Sequence, residues 1–125
     1  MDTGMNYAAI AKQVLTNYAA FWAQAGIALQ PVFDDEHRTY LLLKFGWRGK
    51  TYLHSATVHL EIRDCQIWIQ NDHTEAGIAT DLLEAGVPRE DIVLGFRPPE
   101  LRPYTEFGAG EPAAQHAAPA KTRAA

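Results

Sequence analysis

The first segment of the chain repeats its apolar residues with the period of an α-helix. Between residues 5 and 25, apolar side chains recur at steps of three and four, as they do on one face of an amphipathic helix. The members of this stripe are Tyr7, Ile10, Val14, Tyr18, Phe21 and Ala25. Gly26 follows, at a position where a left-handed residue commonly ends a helix. The pattern predicts an N-terminal helix that covers a core with one face.

The hydrophobic period then changes to two, which is the period of a β-strand. Apolar and polar residues alternate through four segments, residues 27–33, 39–47, 51–63 and 66–71. Pro31 has no N–H to donate to a neighbouring strand, so the first strand should lie at an edge of the sheet. Short turns join the segments, and together they predict a four-stranded antiparallel meander.

Two-residue turns fix the predicted register of the last three strands, because a slip by one residue would move every apolar side chain to the wrong face. A turn at Asp64–Cys65 pairs Ile62 with Ile67 and Leu60 with Ile69. A turn at Arg48–Gly49 pairs Phe45 with Tyr52, Leu43 with His54 and Leu41 with Ala56. The predicted core face of the two middle strands carries Leu41, Leu43, Phe45, Trp47, Ala56, Val58, Leu60 and Ile62.

The opposite face of the predicted sheet is only partly polar. Its apolar members are Tyr40, Leu42, Leu53 and Trp68, and they lie beside Thr57, His59 and Glu61. A half-apolar face of this size indicates that something covers it. The cover is a second copy of the chain, a partner protein, or the chain's own C-terminal segment.

The C-terminal half predicts a second helix and an arm, which completes an α+β fold. The helix should begin near Asp72–Thr74, whose side chains can cap it, and end at Gly86; its stripe is Ile78, Leu82 and Ala85. One more helical turn is predicted at Pro88–Val93. Three prolines in Gly95–Gly110 argue against helix and predict an ordered extended arm with anchors at Phe96, Leu101, Tyr104 and Phe107. Residues 111–125 are rich in Ala and predict a disordered tail, so a single domain spans residues 1–110.

Composition narrows the function classes. The net charge is −4, whereas an unaided DNA-binding protein usually carries a basic surplus. A local basic patch of Lys44, Arg48 and Lys50 keeps weak DNA contact open as an alternative. There is one cysteine, Cys65, and neither a signal peptide nor a membrane-spanning apolar run is visible, so we expect a soluble cytoplasmic protein without membrane contact.

Candidate chemistry is sparse along the chain. The five histidines form no HExxH motif, and one cysteine cannot form a CxxC pair, so we expect no metal, no cofactor and no catalytic residue. The turn Asp34-Asp35-Glu36-His37 has the residue types of a metal site, although adjacent acids on a turn point in different directions. The alternative to a binding protein is therefore a small metal-dependent hydrolase or nuclease that uses Asp34, Asp35, His37 or His59.

Several motifs in order resemble one known family. They are IWIQ at Ile67–Gln70, TEAGIA at Thr74–Ala79, DIVLGF at Asp91–Phe96 and PP-x-x-R-x-Y-T-x-F at Pro98–Phe107. Together with the layout of the N-terminal half, they resemble the XisI proteins, described as controlling factors for excision of the fdxN element in filamentous cyanobacteria. The chain departs from the family pattern at Cys65, where a Gly is usual, and in its Ala-rich tail.

The resemblance implies an α+β fold and an accessory, non-enzymatic role in DNA excision. XisI proteins act with a nuclease-like companion, XisH, so an XisH-like protein is the expected partner. We also expect a homodimer, formed through the open last strand or the face of Trp68. The candidate contact residues are Tyr40, Leu42, Leu53, His59, Trp68, Gln70, Arg102, Tyr104 and Phe107.

Overall fold

The computed structural model describes residues 6–110. The predicted tail at residues 111–125 lies outside the described residues. The helices and strands are α1 (Tyr7–Phe21), β1 (Ile27–Asp34), β2 (Thr39–Arg48), β3 (Thr51–Arg63), β4 (Gln66–Asp72), α2 (Ile78–Glu84) and β5 (Ile92–Leu94), with 3₁₀ turns at Arg89–Asp91 and Pro99–Tyr104. Within this part of the chain, no helix has both the length and the apolar character that crossing a membrane requires.

The strands form one sheet in the order β1-β2-β3-β4-β5. The first four are an antiparallel meander, and β5 returns through α2 to pair parallel with β4. The α+β fold class is confirmed, but the predicted strand count is one too low. The helical turn predicted at Pro88–Val93 ends at Asp91 instead, and Ile92–Leu94 form β5. Three residues are too few for their alternation to be recognised in the sequence.

The second helix begins later than predicted. Its first residue is Ile78, and the carboxylate of Asp72 accepts hydrogen bonds from the backbone N–H groups of Ile78 (2.8 Å) and Thr74 (2.9 Å). Asp72 thus caps the helix from six residues upstream, across a loop. The arm also differs from its prediction, because Pro99–Tyr104 forms a 3₁₀ turn rather than an extended segment.

The two predicted turns have different outcomes. Ile62 pairs with Ile67 and Leu60 with Ile69, as predicted from the turn at Asp64–Cys65, where both residues have positive φ. The predicted pairing of β2 with β3 is wrong by two residues. The turn is Gly49–Lys50, with Gly49 at φ +61°, so Phe45 pairs with His54 and Trp47 with Tyr52. A left-handed first turn position suits glycine, and this favours Gly49 at that place.

A β-bulge at Thr57 makes the faces of the sheet differ from the predicted ones. Leu43 pairs with Ala56 and Leu42 with Val58, so Thr57 has no partner on β2. Because one extra residue reverses the alternation on its strand, Val58, Leu60 and Ile62 face the core together with Tyr40 and Leu42. The prediction that Tyr40 and Leu42 lie on the outer face is therefore wrong. The same bulge buries Thr57 and leaves Ala56 exposed.

The core lies between the inner face of the sheet and the two helices. Ala11, Val14 and Leu15 of α1 and Ile78 and Leu82 of α2 are its helical contribution. The N-cap of α1 is Asn6, whose side chain accepts a hydrogen bond from the backbone N–H of Ala9. A hydrogen bond from the Tyr7 hydroxyl to Asp91 ties the start of this helix to the 3₁₀ turn before β5. Burial, then this hydrogen bond, raises the pKa of Tyr7 to about 12.

Asp35 fastens the other side of α1 to the β1–β2 turn. Its carboxylate accepts a hydrogen bond from Lys12 Nζ (2.8 Å) and another from the Tyr40 hydroxyl (2.8 Å). The hydrogen bond from Lys12, followed by that from Tyr40, lowers the pKa of Asp35. Burial of the ring, then the hydrogen bond to Asp35, raises the pKa of Tyr40 to about 12.

The bulge predicts opposite outcomes at two neighbouring leucines. Leu42 is fully buried and Leu41 is half buried on the outer face. We expect Leu42→Ala to lower the free energy of unfolding by about 3 kcal/mol through loss of buried area and a residual cavity. Leu41→Ala should cost about 1 kcal/mol or less, since its side chain remains partly in water. Urea unfolding measures both; a larger loss at Leu41 would mean that the bulge is misplaced.

The Asp35 contacts predict a pH-dependent loss of stability. A carboxyl whose pKa is lower in the folded state stabilises the fold above its unfolded pKa, and the contribution disappears as pH falls through the folded pKa. Asp35→Asn should therefore be less stable than the parent at pH 7, and the difference should shrink as pH falls below 3.8, the ordinary value. Urea unfolding across this range checks it. Glu36→Gln is the control, because the Glu36 carboxylate makes neither contact; an equal effect there would contradict the assignment.

Candidate functional site

The outer face of the sheet, opposite the helices, is divided into a covered half and an open half. The covered half lies over β4 and β5, where Trp68 is only 2% exposed. The open half lies over β2 and the first part of β3, where Trp47 and Tyr52 are 60% and 50% exposed. The two halves differ in what lies on them.

The chain's own C-terminal segment covers Trp68, which is one of the three covers expected from the sequence. Two guanidinium groups lie against the ring: that of Arg63 at 4.2 Å from the centroid and that of Arg102 at 4.9 Å. Arg102 is itself buried and donates hydrogen bonds to the carbonyl oxygens of Arg97 (3.1 Å) and Gly95 (3.4 Å). Trp68 and Arg102 therefore hold the arm in place, and neither side chain is exposed for contact with another molecule.

The same segment closes the edge of the sheet. Gly108 forms a parallel bridge with Val93, and its N–H donates to the Ile92 carbonyl oxygen (2.8 Å). A Cβ at Gly108 would lie 2.4 Å from the Glu90 carbonyl oxygen, so only glycine fits. Because β5 occupies the edge of β4 and the arm covers Trp68, neither surface predicted for self-association is open.

The remaining predicted contact residues are spread over the surface. Gln70 donates to Glu61 (2.9 Å), as does Arg63 (3.0 Å), and these hydrogen bonds lower the pKa of Glu61 although burial opposes them. Phe107 is half buried against the core, while Tyr104 is 85% exposed. Half-buried members of the predicted set are Leu53 and His59. Of the residues predicted for contact, the structure therefore leaves only Tyr104 exposed, and the set does not form one open patch.

The open half carries a row of aromatic rings that we call the aromatic ladder: Phe45, Trp47, Tyr52 and His54. Trp47 contacts Tyr52 at a centroid distance of 5.1 Å, and Tyr52 stacks on His54 at 6.3 Å with an interplanar angle of 18°. His54 in turn lies 6.4 Å from Phe45. Pairing of β2 with β3 brings these rings together, so the two-residue register error concealed the ladder from sequence reasoning.

The predicted basic patch of Lys44, Arg48 and Lys50 does not form a single surface. Lys50 lies in the turn, whereas Lys44 and Arg48 line a groove on the inner side of the sheet. Residues 37–60 contain Arg38, Lys44, Arg48 and Lys50 and neither Asp nor Glu. Among residues 6–110, no carboxylate forms a salt bridge with Lys44, Arg48 or Lys50. The hairpin is therefore a local positive region of an acidic protein.

Sequence reasoning missed the groove itself, which has a volume of about 1020 Å³ and lies between the end of α1, the sheet and the loop before α2. Tyr18, Phe21 and Trp22 form its aromatic wall, and Asp81 lies on the wall that α2 contributes. Burial, followed by nearby carboxylates, raises the pKa values of both Tyr18 and Asp81. The sequence offers one signal for this groove, because the apolar stripe of α1 continues to Phe21 at the end of the helix. In the structure, this side chain is 78% exposed.

The turn that has the residue types of a metal site brings three of its side chains together. Ligand atoms of Asp34, Glu36 and His37 lie within 4.8 Å of one another, and all three residues are exposed. His37 Nδ1 lies 2.6 Å from Asp34 Oδ2, and this hydrogen bond, before other causes, lowers the pKa of Asp34. Asp35 points instead to Lys12 and Tyr40. His59, on β3, is not a member of the group.

The contact of Arg102 with Trp68 predicts what releases the arm. Arg102→Ala removes the hydrogen bonds to Arg97 and Gly95 and the cation–π contact with Trp68, so the arm should detach from Trp68. In a variant with Trp22→Phe and Trp47→Phe, we expect acrylamide quenching of Trp68 fluorescence to rise several-fold. Tyr104→Ala is the control, because this exposed ring lies in the same segment; equal quenching in both variants would contradict the assigned role of Arg102.

The XisI protein family model matches residues 1–109. Among solved structures, an XisI-like protein from Anabaena variabilis is 37% identical, with a TM-score of 0.73 over 82% of this chain and 94% of that one. The fdxN element excision controlling factor XisI from Anabaena variabilis is 30% identical, with a TM-score of 0.69 over 83% of this chain and 96% of that one. No curated protein matches the sequence. The match along most of the chain, in both sequence and fold, shows that the chain belongs to the XisI family.

Proposed function

We propose that the chain is a non-enzymatic accessory protein that regulates excision of a DNA element by binding an XisH-type, nuclease-like protein in the cytoplasm. The relative that is 30% identical is an excision controlling factor, and it shares the fold along 83% of this chain. A controlling factor acts on the process of excision, and this role fits a protein whose main surface feature is the exposed aromatic ladder. The proposal needs no cofactor.

The aromatic ladder is the observation that carries this proposal. Trp and Tyr are enriched among the residues that contribute most to the binding energy of protein interfaces, and here both are at least half exposed. Their rings already contact each other at 5.1 Å, so they lose little conformational freedom when a partner covers them. A soluble domain that leaves such a cluster open has a surface suited to a second molecule.

The charge around the ladder indicates what its partner should present. Lys50 lies in the turn that joins the two strands of the ladder, and residues 37–60 contain no acid. An apolar patch with an acidic rim on the partner would complement this surface, and opposite charges would accelerate and orient the encounter. We therefore place the XisH-type contact on the β2–β3 hairpin, and not on Trp68.

Substitution of Trp47 tests this proposal. When the chain is co-expressed with an XisH-type protein, we expect a stable complex that co-purifies. Trp47→Ala should weaken the complex about 30-fold, since a central aromatic contact contributes about 2 kcal/mol. Titration calorimetry of the purified proteins gives the dissociation constants, and circular dichroism confirms that the variant is folded.

Phe21→Ala is the matched control, because Phe21 is another exposed aromatic residue that lies outside the ladder. It should leave the dissociation constant unchanged. Two results would reject the proposal: the pair never co-purifies, or the chain alone binds DNA with strong salt dependence and ignores the XisH-type protein. An equal loss in Phe21→Ala and Trp47→Ala would move the contact away from the hairpin.

A further inference from the structure

Strand β3 has an edge that nothing in the described part of the chain pairs with. Strand β3 spans Thr51–Arg63, but β4 pairs only with its second part, from Val58 to Arg63. The Thr57 carbonyl oxygen accepts from the His73 N–H (2.8 Å), and that of Ala56 from the Asn71 side chain (2.6 Å). The segment Thr51–Ser55 therefore pairs with β2 on one side and has no strand on the other. Backbone N–H and C=O groups at such an edge can pair with another strand.

The other edges of the sheet are protected. Strand β1 carries Pro31 in its middle, which cannot donate a hydrogen bond to an added strand. The arm closes the edge of β5 through Gly108. Thr51–Ser55 contains neither Pro nor a charged residue, and these are the devices that usually prevent edge-to-edge pairing. Within residues 6–110, it is thus the edge that is open to strand addition.

We propose that two copies of the chain pair antiparallel through Thr51–Ser55, with the two-fold axis at Leu53. An antiparallel pair of identical strands is self-complementary, and a two-fold axis perpendicular to the sheet keeps each face on its own side. Two residues that pair across the interface must then lie on the same face of the sheet. This requires that the residue at the axis lie opposite the same residue of the second copy. Of the registers this allows, the one centred on Leu53 pairs the whole free segment.

The side chains support this register. It places Tyr52 opposite His54 of the second copy, and Thr51 opposite Ser55, so no like charges meet across the interface. Tyr52 and His54 already stack within one copy, and pairing would bring the two ladders together as one continuous aromatic face. Backbone pairing over five residues is too small an interface for a stable dimer, and burial of the exposed aromatic area would add to it.

The symmetry at Leu53 gives a direct test with the full-length chain. Sedimentation equilibrium should show a dimer of the parent protein at about 100 μM. Leu53→Lys places two positive charges opposite each other at the axis, and Leu53→Glu places two negative charges there, so each variant should sediment as a monomer. An equimolar mixture of the two should dimerise again, because Lys then faces Glu.

Val32→Lys is the control, since it places the same charge on β1, the edge that Pro31 protects, and it should leave the dimer intact. Circular dichroism and urea unfolding show that each variant is folded, and the rescue by mixing excludes misfolding as the cause. A monomeric parent protein, a dimeric Leu53→Lys variant, or a mixture that stays monomeric would each overturn the proposal. Capture of the XisH-type protein is measured separately, so an intact complex with a monomeric parent protein would reject only this inference.

Discussion

The bulge at Thr57 is the local feature on which the arrangement of both surfaces depends. One residue without a partner on β2 shifts the alternation of β3, so that Val58 and Leu60 face the helices while Tyr52 and His54 face outward. Without it, either the core half of β3 or the ladder half would be on the wrong face. The bulge therefore allows one long strand to serve the core at one end and an exposed face at the other.

The sequence predicts the fold class and most elements because their signals are local. The N-terminal helix, the four strands and the turn at Asp64–Cys65 are predicted from neighbouring residues, and the structure confirms these elements. Helix α1 ends at Phe21, so Ala25 of the predicted stripe lies beyond it. The bulge escapes prediction because Thr57 and Val58 continue a regular alternation when the strand is read alone. Its position depends on which residues of β2 and β4 pair on either side, and single-strand periodicity does not contain that information.

The candidate site was less predictable for the same physical reason. Trp68 and Arg102 were identified as contact residues, but they contact each other across a separation of 34 positions. The motif that contains Arg102 predicts an extended arm when it is read alone. In the structure, the guanidinium of Arg102 lies against the Trp68 ring and donates hydrogen bonds to backbone carbonyl oxygens. Conversely, the sequence pattern places Trp47 on the core face and pairs Tyr52 with Phe45, whereas the structure pairs Trp47 with Tyr52. A two-residue error in register preserves the face of each residue yet changes every pair.

The two halves of the outer face show how the chain treats exposed aromatic surface. Over Trp68 it orders its own segment and buries Arg102, whose desolvation is offset by backbone acceptors and the ring. Within residues 6–110 it places no segment over the ladder, where Trp47 and Tyr52 remain 60% and 50% exposed. The free edge of Thr51–Ser55 borders this same open half, so strand pairing would place two ladders side by side. A partner that contacted both would gain from their effective concentration without any new contact, and dimerisation and partner binding would then reinforce each other.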